Sequence, residues 1–526
     1  MTLPWATRAG LALLLLLALA FGASAAGLTG AEKRGKRIYT EGKGRGKITA
    51  FLPGAGIRAP GSGFPCVNCH LAGGAGQSEG GVRSADIAWF TLTKEYGGPR
   101  PSGRTHPPYT DETVRTAVTE GVDPAGNVLA SAHPRYGMDR EDLDDLLAYM
   151  KVMASEPVPG VTDNAVRVGT LFPATGPLAE GAREVRALLS GYAAEANARG
   201  GTYNRRLELV EIPFDPSTPG TALAAARAAV ESEGVLCFLA NIGIPTDGDA
   251  ARFLAMERVP VFVPLLSTPE GGYGADPYTF HVLASIKDQA RVMVDFLAES
   301  TKGTANRIGI LYAMDASGEK GAEGARAQAE KRGLRVGSEL SFVPGAFDVL
   351  EAVRRMGGDR IDAVLYFGGP PEALAFARGA SGEKDGAPFL APATMVGDAL
   401  RAAPPGFLRR VYLAAPLVPP DEGTAEMGDF RRIREKYSVS GRHRSFQLLA
   451  YAGAVLLEEG LRRSGKGVTR EKLVGAVGNV WKLRTGVTPP LTYNANRRTG
   501  APGAAIVRMD PGVGRLVTVM EWREPR

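Results

Sequence analysis

The sequence lacks most of the patterns that identify an enzyme or a nucleic-acid-binding protein. It contains no phosphate-binding loop, no dinucleotide fingerprint and no nucleophile paired with a base, which argues against an independent enzyme. Its net charge is only +6, and no basic cluster is interleaved with aromatic residues, so we expect no nucleic-acid partner. Outside residues 11–20 no long apolar run occurs, and a membrane span needs about 20 apolar residues.

The beginning of the chain has the pattern of a secretory signal. Arg8 precedes the apolar run at 11–20, and small residues up to Ala25 fit a cleavage site. An uncleaved N-terminal anchor is the alternative interpretation. We expect residues 1–25 to be a signal peptide and the mature protein to be periplasmic.

Cysteine and histidine are scarce, with 3 and 5 in 526 residues, yet Cys66, Cys69 and His70 fall in one five-residue stretch. They form C-x-x-C-H, the attachment signature of a c-type haem. Each thiol can form a thioether to the porphyrin edge, and the adjacent imidazole can bind the iron. A redox disulfide does not call for the histidine, and a zinc site needs more ligands than this region offers. The stretch therefore predicts one covalently bound haem c.

The flanking sequence contains an amphipathic helical pattern at 31–39 and a second one at 139–150 with acidic residues in its first turn. With the C-x-x-C-H motif, these features make residues 28–153 similar to class I c-type cytochromes. The resemblance implies a small all-α electron-transfer domain whose last helix packs across the first. Relatives commonly carry Met-Pro-Arg-Tyr/Phe before the last helix, where the Met binds iron. This chain has His133 at that position, so the resemblance implies His133 as the sixth ligand, with Met138 as the alternative. His106 is a weaker third candidate.

The remaining sequence reads as a separate, larger domain. Residues 154–163 contain two prolines and a glycine and are interpreted as a linker. Strand-like stretches such as 166–171 then alternate with helix-like stretches such as 182–198, which predicts parallel sheets covered by helices. A segment of roughly 360 residues is too long for one such sheet, so two lobes are expected.

Several stretches of residues 164–526 carry a family resemblance. They are GTLFPATGPLA at 169–179, AEANARGG at 194–201, DPYTFH at 276–281 and PPLTY at 489–493. In this order they are similar to periplasmic solute-binding proteins of the leucine/isoleucine/valine type, which serve ABC transporters. The resemblance implies a type I periplasmic-binding-protein fold, in which two α/β lobes joined by a hinge close on a solute.

Ligands of such sheets lie beyond the carboxyl ends of the strands. This rule selects candidate solute-binding residues in both lobes: Gly243, Ile244, Ser267, Thr268, Ser317, Tyr366 and Asp398. Structural roles are the alternative for several of them, since serine and threonine shape turns, glycine serves chain geometry and aspartate caps helices. Amino-acid binders usually have a tyrosine in place of Ser317, so another small solute, such as an organic acid, is an equal alternative.

Taken together, the sequence predicts a non-enzymatic periplasmic protein in which a mono-haem cytochrome is fused to a solute-binding module. The expected partners are a small-molecule solute and a periplasmic redox partner, together with an ABC permease or a dehydrogenase. Two alternatives stay open. The chain can be the electron-accepting partner of a periplasmic dehydrogenase, with lobes used only for docking, or a transport receptor whose cytochrome is incidental.

Overall fold

The computed structural model describes most of the chain in two compact units, which divide between Pro157 and Val158. The described residues are 28–76, 78–79, 82–94, 105–243, 248–266, 276–300, 307–357, 361–382, 386–397, 399–419, 421, 423–510 and 515–526. The expected signal peptide at 1–25 lies outside them. Within these ranges, no helix has the length and apolar character needed to cross a membrane.

The first unit combines a helical core with a small antiparallel sheet. Its helices are α1 (Gly30–Glu41), α2 (Val67–His70), α3 (Trp89–Leu92), α4 (Asp111–Thr119) and α5 (Arg140–Val152). Its strands are β1 (Thr49–Leu52), β2 (Ile57–Pro60), β3 (Ser78–Glu79), β4 (Val82–Arg83) and β5 (Arg135–Gly137). Because β1 pairs with both β2 and β5, the expectation of an all-α unit was wrong. The chain reverses between β1 and β2 at a turn where Gly56 has φ +66°, a conformation that glycine adopts without strain.

Helices α1 and α5 were expected to pack across one another, and they do so at very close range. Thr29 and Glu32 form a capping box that begins α1. Where α1 meets α5 it presents Gly35, and a Cβ atom there would lie 1.9 Å from the carbonyl oxygen of Asp145. One turn further along, the rings of Tyr39 and Tyr149 pack with centroids 5.5 Å apart. A glycine at the crossing therefore allows the helices to approach and the tyrosines to fill the core.

The second unit contains one parallel sheet and one largely parallel sheet. Its strands are β6 (Ala165–Pro173), β7 (Arg206–Phe214), β8 (Cys237–Leu239), β9 (Val261–Phe262), β10 (Thr279–Leu283), β11 (Arg307–Ala313), β12 (Arg335–Phe342), β13 (Ala363–Phe367), β14 (Phe389–Pro392), β15 (Val411–Ala415), β16 (Thr499–Ala501), β17 (Ala504–Asp510) and β18 (Arg515–Arg523). Its helices are α6 (Ala179–Ala198), α7 (Thr221–Ala228), α8 (Gly248–Met256), α9 (Ile286–Ser300), α10 (Ala316–Arg332), α11 (Val349–Met356), α12 (Pro370–Gly379), α13 (Ala393–Val396), α14 (Pro405–Leu408), α15 (Gly428–Lys436), α16 (Arg444–Ser464) and α17 (Arg470–Val477).

Each sheet is the centre of one lobe. The six-stranded sheet of lobe one has the order β16-β10-β9-β8-β6-β7 and is parallel throughout. The seven-stranded sheet of lobe two has the order β12-β11-β13-β14-β15-β17-β18. Within it, β17 pairs antiparallel with both β15 and β18 and so runs opposite to the other six strands. Central strands such as β13 are buried along their whole length, because helices cover both faces of a parallel sheet.

The chain passes between the lobes three times. It leaves lobe one after β10, returns after β15, and leaves again after β16, so that β17 and β18 complete lobe two. Helix α9, which follows the first passage, packs in the core of lobe two, whereas α16, which follows the second, packs in the core of lobe one. Three connections at one junction are the arrangement of a hinge. The two-lobed α/β fold expected from the sequence is confirmed.

Candidate functional sites

One helical turn brings the side chains of the C-x-x-C-H motif together. Cys66 caps α2, and a hydrogen bond of 2.9 Å from the His70 amide to the Cys66 carbonyl closes the turn. Residues three and four positions apart lie on the same side of a helix. Cys66, Cys69 and His70 accordingly line the same cavity, and both cysteines are free thiols.

The cavity has a volume of about 500 Å³, within the range of roughly 300–1,000 Å³ that is usual for ligand and cofactor sites. Much of its wall is apolar and includes Leu52, Phe64, Ile87, Leu92, Leu146 and Met150. Three histidines also line it: His70, His106 and His133. Within the described part of the chain, no three His, Cys, Asp or Glu side chains are placed to hold a metal ion by themselves. The cavity therefore combines a largely apolar wall with three imidazoles and two thiols.

His70 and His133 lie close together in this cavity, although His133 follows His70 by 63 positions in the chain. Their ring centroids are 6.3 Å apart and their planes are inclined by 63°. The Nδ1 atom of His70 lies 2.9 Å from the carbonyl oxygen of Ala85. Because a carbonyl oxygen only accepts, this Nδ1 atom carries the hydrogen. A metal would then bind the ring through Nε2.

The other two sequence candidates for the sixth iron ligand are placed differently. Met138 is half-buried and packs against the hydrophobic core of the unit, and it is not among the described residues that line the cavity. His106 does line the cavity, but its ring packs on Tyr109 and its Nδ1 atom lies 2.7 Å from the Pro107 carbonyl oxygen. The structure therefore brings His133, and not Met138, to the cavity of the two cysteines.

Two buried tyrosines donate hydrogen bonds to the backbone just before and just after the C-x-x-C-H motif. Tyr39 of α1 donates a hydrogen bond of 2.6 Å to the Leu71 carbonyl, and Tyr136 of β5 donates one of 2.6 Å to the Phe64 carbonyl. Burial raises the pKa of the Cys66 thiol to about 12, and it also raises the pKa of Tyr136. Both groups therefore stay protonated at neutral pH. Sequence reasoning missed these two tyrosines, and the only available signal was the position of Tyr136 three residues after His133.

A second candidate site lies at the carboxyl ends of the strands of the two lobes. Gly243 follows β8, and the space that a Cβ atom would occupy there is open. Ser317 lies half-buried in the first turn of α10, where the side chain of Asp315 caps the helix by accepting from the Gly318 amide at 2.8 Å. Four predicted solute-binding residues lie outside the described part of the chain: Ile244, Ser267, Thr268 and Asp398. For these four, the prediction stays a prediction.

Tyr366, also predicted to contact a solute, is placed in the core of lobe two. Its side chain is 0% exposed, and its hydroxyl donates a hydrogen bond of 2.7 Å to the Gly369 carbonyl. Its ring packs against Phe342 and Phe389. The physical reason is that β13 is a central strand covered on both faces. In this position Tyr366 stabilises the turn into α12 and does not reach the edge of the sheet.

Exposed apolar side chains occupy this edge in both lobes. Leu266, which follows β9 in lobe one, is 37% exposed, and Met314, which follows β11 in lobe two, is 56% exposed. Large apolar side chains are usually buried unless a partner or ligand covers them. The rule that ligands lie beyond the carboxyl ends of strands led to the loops after β9 and β11, but it selected their polar residues and not Leu266 and Met314.

Comparison with known proteins assigns a likeness to the second unit. A family model described as "Periplasmic binding protein" matches residues 165–513. A search of curated proteins found no match. Solved structures with a similar fold include a fatty acid ABC transporter substrate-binding protein from Thermomonospora curvata, with 20% identity and a TM-score of 0.54, covering 70% of this chain and 95% of that one.

Two further structures extend the comparison. A solute-binding protein from R. palustris in complex with benzoate has 16% identity and a TM-score of 0.50, covering 69% of this chain and 97% of its own. A branched-chain amino acid ABC transporter from Thermus thermophilus with bound valine has 17% identity and a TM-score of 0.51, covering 68% and 97%. At these identities the likeness shows a shared fold. The family match begins at residue 165, after the unit that contains the C-x-x-C-H motif.

Proposed function

The chain belongs to the periplasmic binding protein family, and we propose from this premise that it is a solute receptor of the ABC-transport type that carries a covalently bound haem c on its first unit. The receptor part rests on the family and on the two-lobed fold. The haem part rests on one observation, the cavity that brings Cys66, Cys69, His70 and His133 together.

The residues around this cavity fit a haem. Metals bind imidazole nitrogen at roughly 2 Å, and a ring centroid lies about 1 Å behind that nitrogen, so a metal shared by two imidazoles separates their centroids by about 6 Å. The centroids of His70 and His133 are 6.3 Å apart. Both thiols lie within the same cavity wall, and apolar side chains supply the enclosure that a porphyrin needs. This agreement supports His70 and His133 as the two residues that would bind a haem iron.

The proposed role of the protein residues is to hold and insulate the group. Cys66 and Cys69 would anchor it, while the Ala85 carbonyl fixes the hydrogen of His70 on Nδ1, so that Nε2 would be available to the iron. Tyr39 and Tyr136 hold the backbone on either side of the motif. A haem iron with two protein ligands supplies one-electron transfer. We therefore propose electron exchange with a periplasmic redox partner, and no catalysis.

The experiment that tests the haem part uses the full chain exported to the periplasm together with a haem-attachment system. Haem that survives denaturation and acid extraction, lost in the Cys66→Ser/Cys69→Ser double variant, supports covalent attachment. A low-spin absorbance spectrum that is lost in His133→Ala and kept in Met138→Ala identifies the sixth ligand. A wild-type protein without covalent haem would refute this part of the proposal and leave a solute receptor. N-terminal sequencing of the same preparation tests the predicted cleavage after Ala25.

For the solute we propose a small carboxylic acid with an apolar body. The relatives described above are named for a fatty acid, benzoate and valine, all of which carry a carboxylate on an apolar group. Leu266 and Met314 offer exposed apolar side chains from opposite lobes. Amino-acid binders of this family usually have a tyrosine where this chain has Ser317, and its loss disfavours an amino acid as the solute. Calorimetric titration with aliphatic, aromatic and amino acids tests the proposal. Binding of leucine or valine in preference to their deaminated analogues would contradict it.

The two alternative roles predict different outcomes of the same titration. If ligand binds but the haem reduction potential stays constant at saturation, the chain behaves as a transport receptor whose cytochrome is incidental. If no ligand binds and the chain co-purifies with a periplasmic dehydrogenase, the lobes serve for docking. A potential that shifts with ligand saturation would instead show that solute binding and redox state are coupled, because linkage between two sites is reciprocal.

A further inference from the structure

The loop that carries His133 has no regular secondary structure of its own. It runs from the end of α4 to the beginning of β5, and a hydrogen bond of 2.8 Å from the Leu129 amide to the Gly121 carbonyl closes its base. A second backbone bond of 2.9 Å joins the His133 amide to the Ala130 carbonyl. The first bond closes the segment 121–129 and the second closes the segment 130–133. Neither bond links one segment to the other.

The side chain of Arg135 makes that connection. Its Nη2 atom donates to the Leu129 carbonyl at 3.0 Å, its Nη1 atom donates to the His133 carbonyl at 2.7 Å, and Nη1 also lies 3.1 Å from the imidazole Nδ1 of His133. The guanidinium rests directly over Gly121, where a Cβ atom would lie 1.8 Å from its Cζ atom. Because a guanidinium only donates, Nδ1 of His133 accepts in this contact, and in the haem-free protein the hydrogen of the neutral ring lies on Nε2, where a bound iron would replace it. The two carbonyl bonds, one at each end of the segment 129–133, are what hold the loop.

The backbone that carries Arg135 is fixed independently of the loop. Arg135 is the first residue of β5 and stands opposite Phe51 in the pairing with β1. Tyr136, the next residue, is bonded to the Phe64 carbonyl beside the cysteine motif. The guanidinium thus ties the His133 loop to the same sheet that supports Cys66. Lysine cannot replace it, because an ammonium lacks the planar fork that donates to two carbonyls at once.

We infer that Arg135 is the positioning residue for the sixth ligand: it holds the loop 121–133 in the conformation that presents the His133 imidazole to the cavity. The expected effect on iron binding rests on the proposed haem function, whereas the hold of Arg135 on the loop does not depend on a bound haem. Without the guanidinium, the loop keeps its local turns and the 3.0 Å hydrogen bond from the Gly54 amide to the Ser131 carbonyl, but the carbonyls of Leu129 and His133 lose their attachment to β5. His133 then binds the iron less tightly, and an external ligand displaces it more easily.

The test measures how readily cyanide displaces the sixth ligand in the oxidised full-length protein, followed by absorbance. Loss of a residue that orients a metal ligand typically lowers metal affinity 10–100-fold. Since cyanide competes with His133 for the same position on the iron, Arg135→Lys is expected to bind cyanide about 10–100-fold more tightly than the wild type. Arg58→Lys is the matched control, because Arg58 lies on β2 of the same sheet, is exposed and stacks over Phe51. It should leave cyanide affinity unchanged.

The double variant separates positioning from a general effect on the cavity. If Arg135 acts through His133, Arg135→Lys has no further effect on cyanide affinity in a His133→Ala background. An unchanged affinity in the single variant, or an equal increase in both backgrounds, would overturn the inference.

A second measurement keeps the inference testable if the wild type carries no haem. Hydrogen–deuterium exchange of the loop 121–133 in the haem-free protein should become faster in Arg135→Lys and stay unchanged in Arg58→Lys. Equal exchange in all three proteins would refute the positioning role. Absence of haem in the wild type refutes the proposed function, whereas an unaltered loop refutes this inference, so the two failures are distinguishable.

Discussion

Replacement of Gly35 by alanine tests the crossing of α1 and α5, on which the first unit depends. The added Cβ atom would lie 1.9 Å from the Asp145 carbonyl oxygen, 2.6 Å from its carbonyl carbon and 2.8 Å from the Cβ of Tyr149. Carbon atoms pack at about 3.5–4.0 Å. Two of these three neighbours are backbone atoms, which cannot rotate away as a flexible side chain does. The helices must therefore separate by roughly 1.5 Å.

The magnitude follows from two opposing effects. Overpacking of a dense core costs about 1–3 kcal/mol, and separation of the helices also weakens the packing of Tyr39 on Tyr149. Alanine in a helix gains back about 1 kcal/mol relative to glycine. We expect a net loss of about 2 kcal/mol in the unfolding free energy of the first unit, which lowers its Tm by about 5–10 °C for a unit of this size.

Differential scanning calorimetry of the full chain measures this loss. Gly30→Ala is the control in the same helix, because the nearest atom to its added Cβ would be the Arg34 Nη1 atom at 3.4 Å, and it should change stability by no more than about 0.5 kcal/mol. Phe389→Ala changes the core of lobe two and should lower the unfolding free energy of the second unit by about 3–5 kcal/mol. This second variant shows which calorimetric transition belongs to which unit. Equal stability of Gly35→Ala and Gly30→Ala would refute the close crossing.

Three further predictions concern single side chains. A hydrogen bond from Arg34, with added attraction from Arg45, lowers the pKa of Asp145 in the folded state. The carboxylate of Asp145 therefore stabilises the folded state above its unfolded pKa of about 3.9, and this stabilisation is lost as the pH falls and the folded protein takes up the proton. The difference in unfolding free energy between wild type and Asp145→Asn, measured with urea, should shrink below about pH 4. Tyr366→Phe removes one buried hydrogen bond of 2.7 Å and should cost about 1 kcal/mol without changing solute affinity in calorimetric titration. Burial raises the pKa of Cys237, so this thiol should resist iodoacetamide at pH 8 in the folded protein and react after unfolding, as mass spectrometry would show.

Each of the three has a result that contradicts it. A pH-independent stability difference for Asp145→Asn would mean that the carboxylate does not depend on the arginines. A loss of solute affinity in Tyr366→Phe would return this residue to the binding site from which its burial removes it. Labelling of Cys237 at the rate of an unfolded thiol would mean that β8 opens in the native state.

Sequence reasoning identified what short-range geometry controls. The C-x-x-C-H motif places its side chains on one side of a single helical turn wherever that turn lies. The alternation of strands and helices after residue 164 likewise indicates parallel sheets, since each strand needs a helix to bring the chain back. Both inferences use spacings of a few residues to a few tens of residues, over which the backbone itself relates the positions.

Tertiary packing decided the features that depend on distant contacts. The resemblance favours His133 over Met138 by its place in a short motif, but only the approach of the loop before β5 to α2 places the His133 side chain at the cavity. Tyr366 follows the rule for a strand end, yet the helices over β13 bury it. The pairing of β5 with β1 joins positions more than 80 residues apart, which local patterns do not encode. Arg135 is one letter of a short motif in the sequence, and its contacts with Gly121, Leu129 and His133 exist only once that sheet has formed.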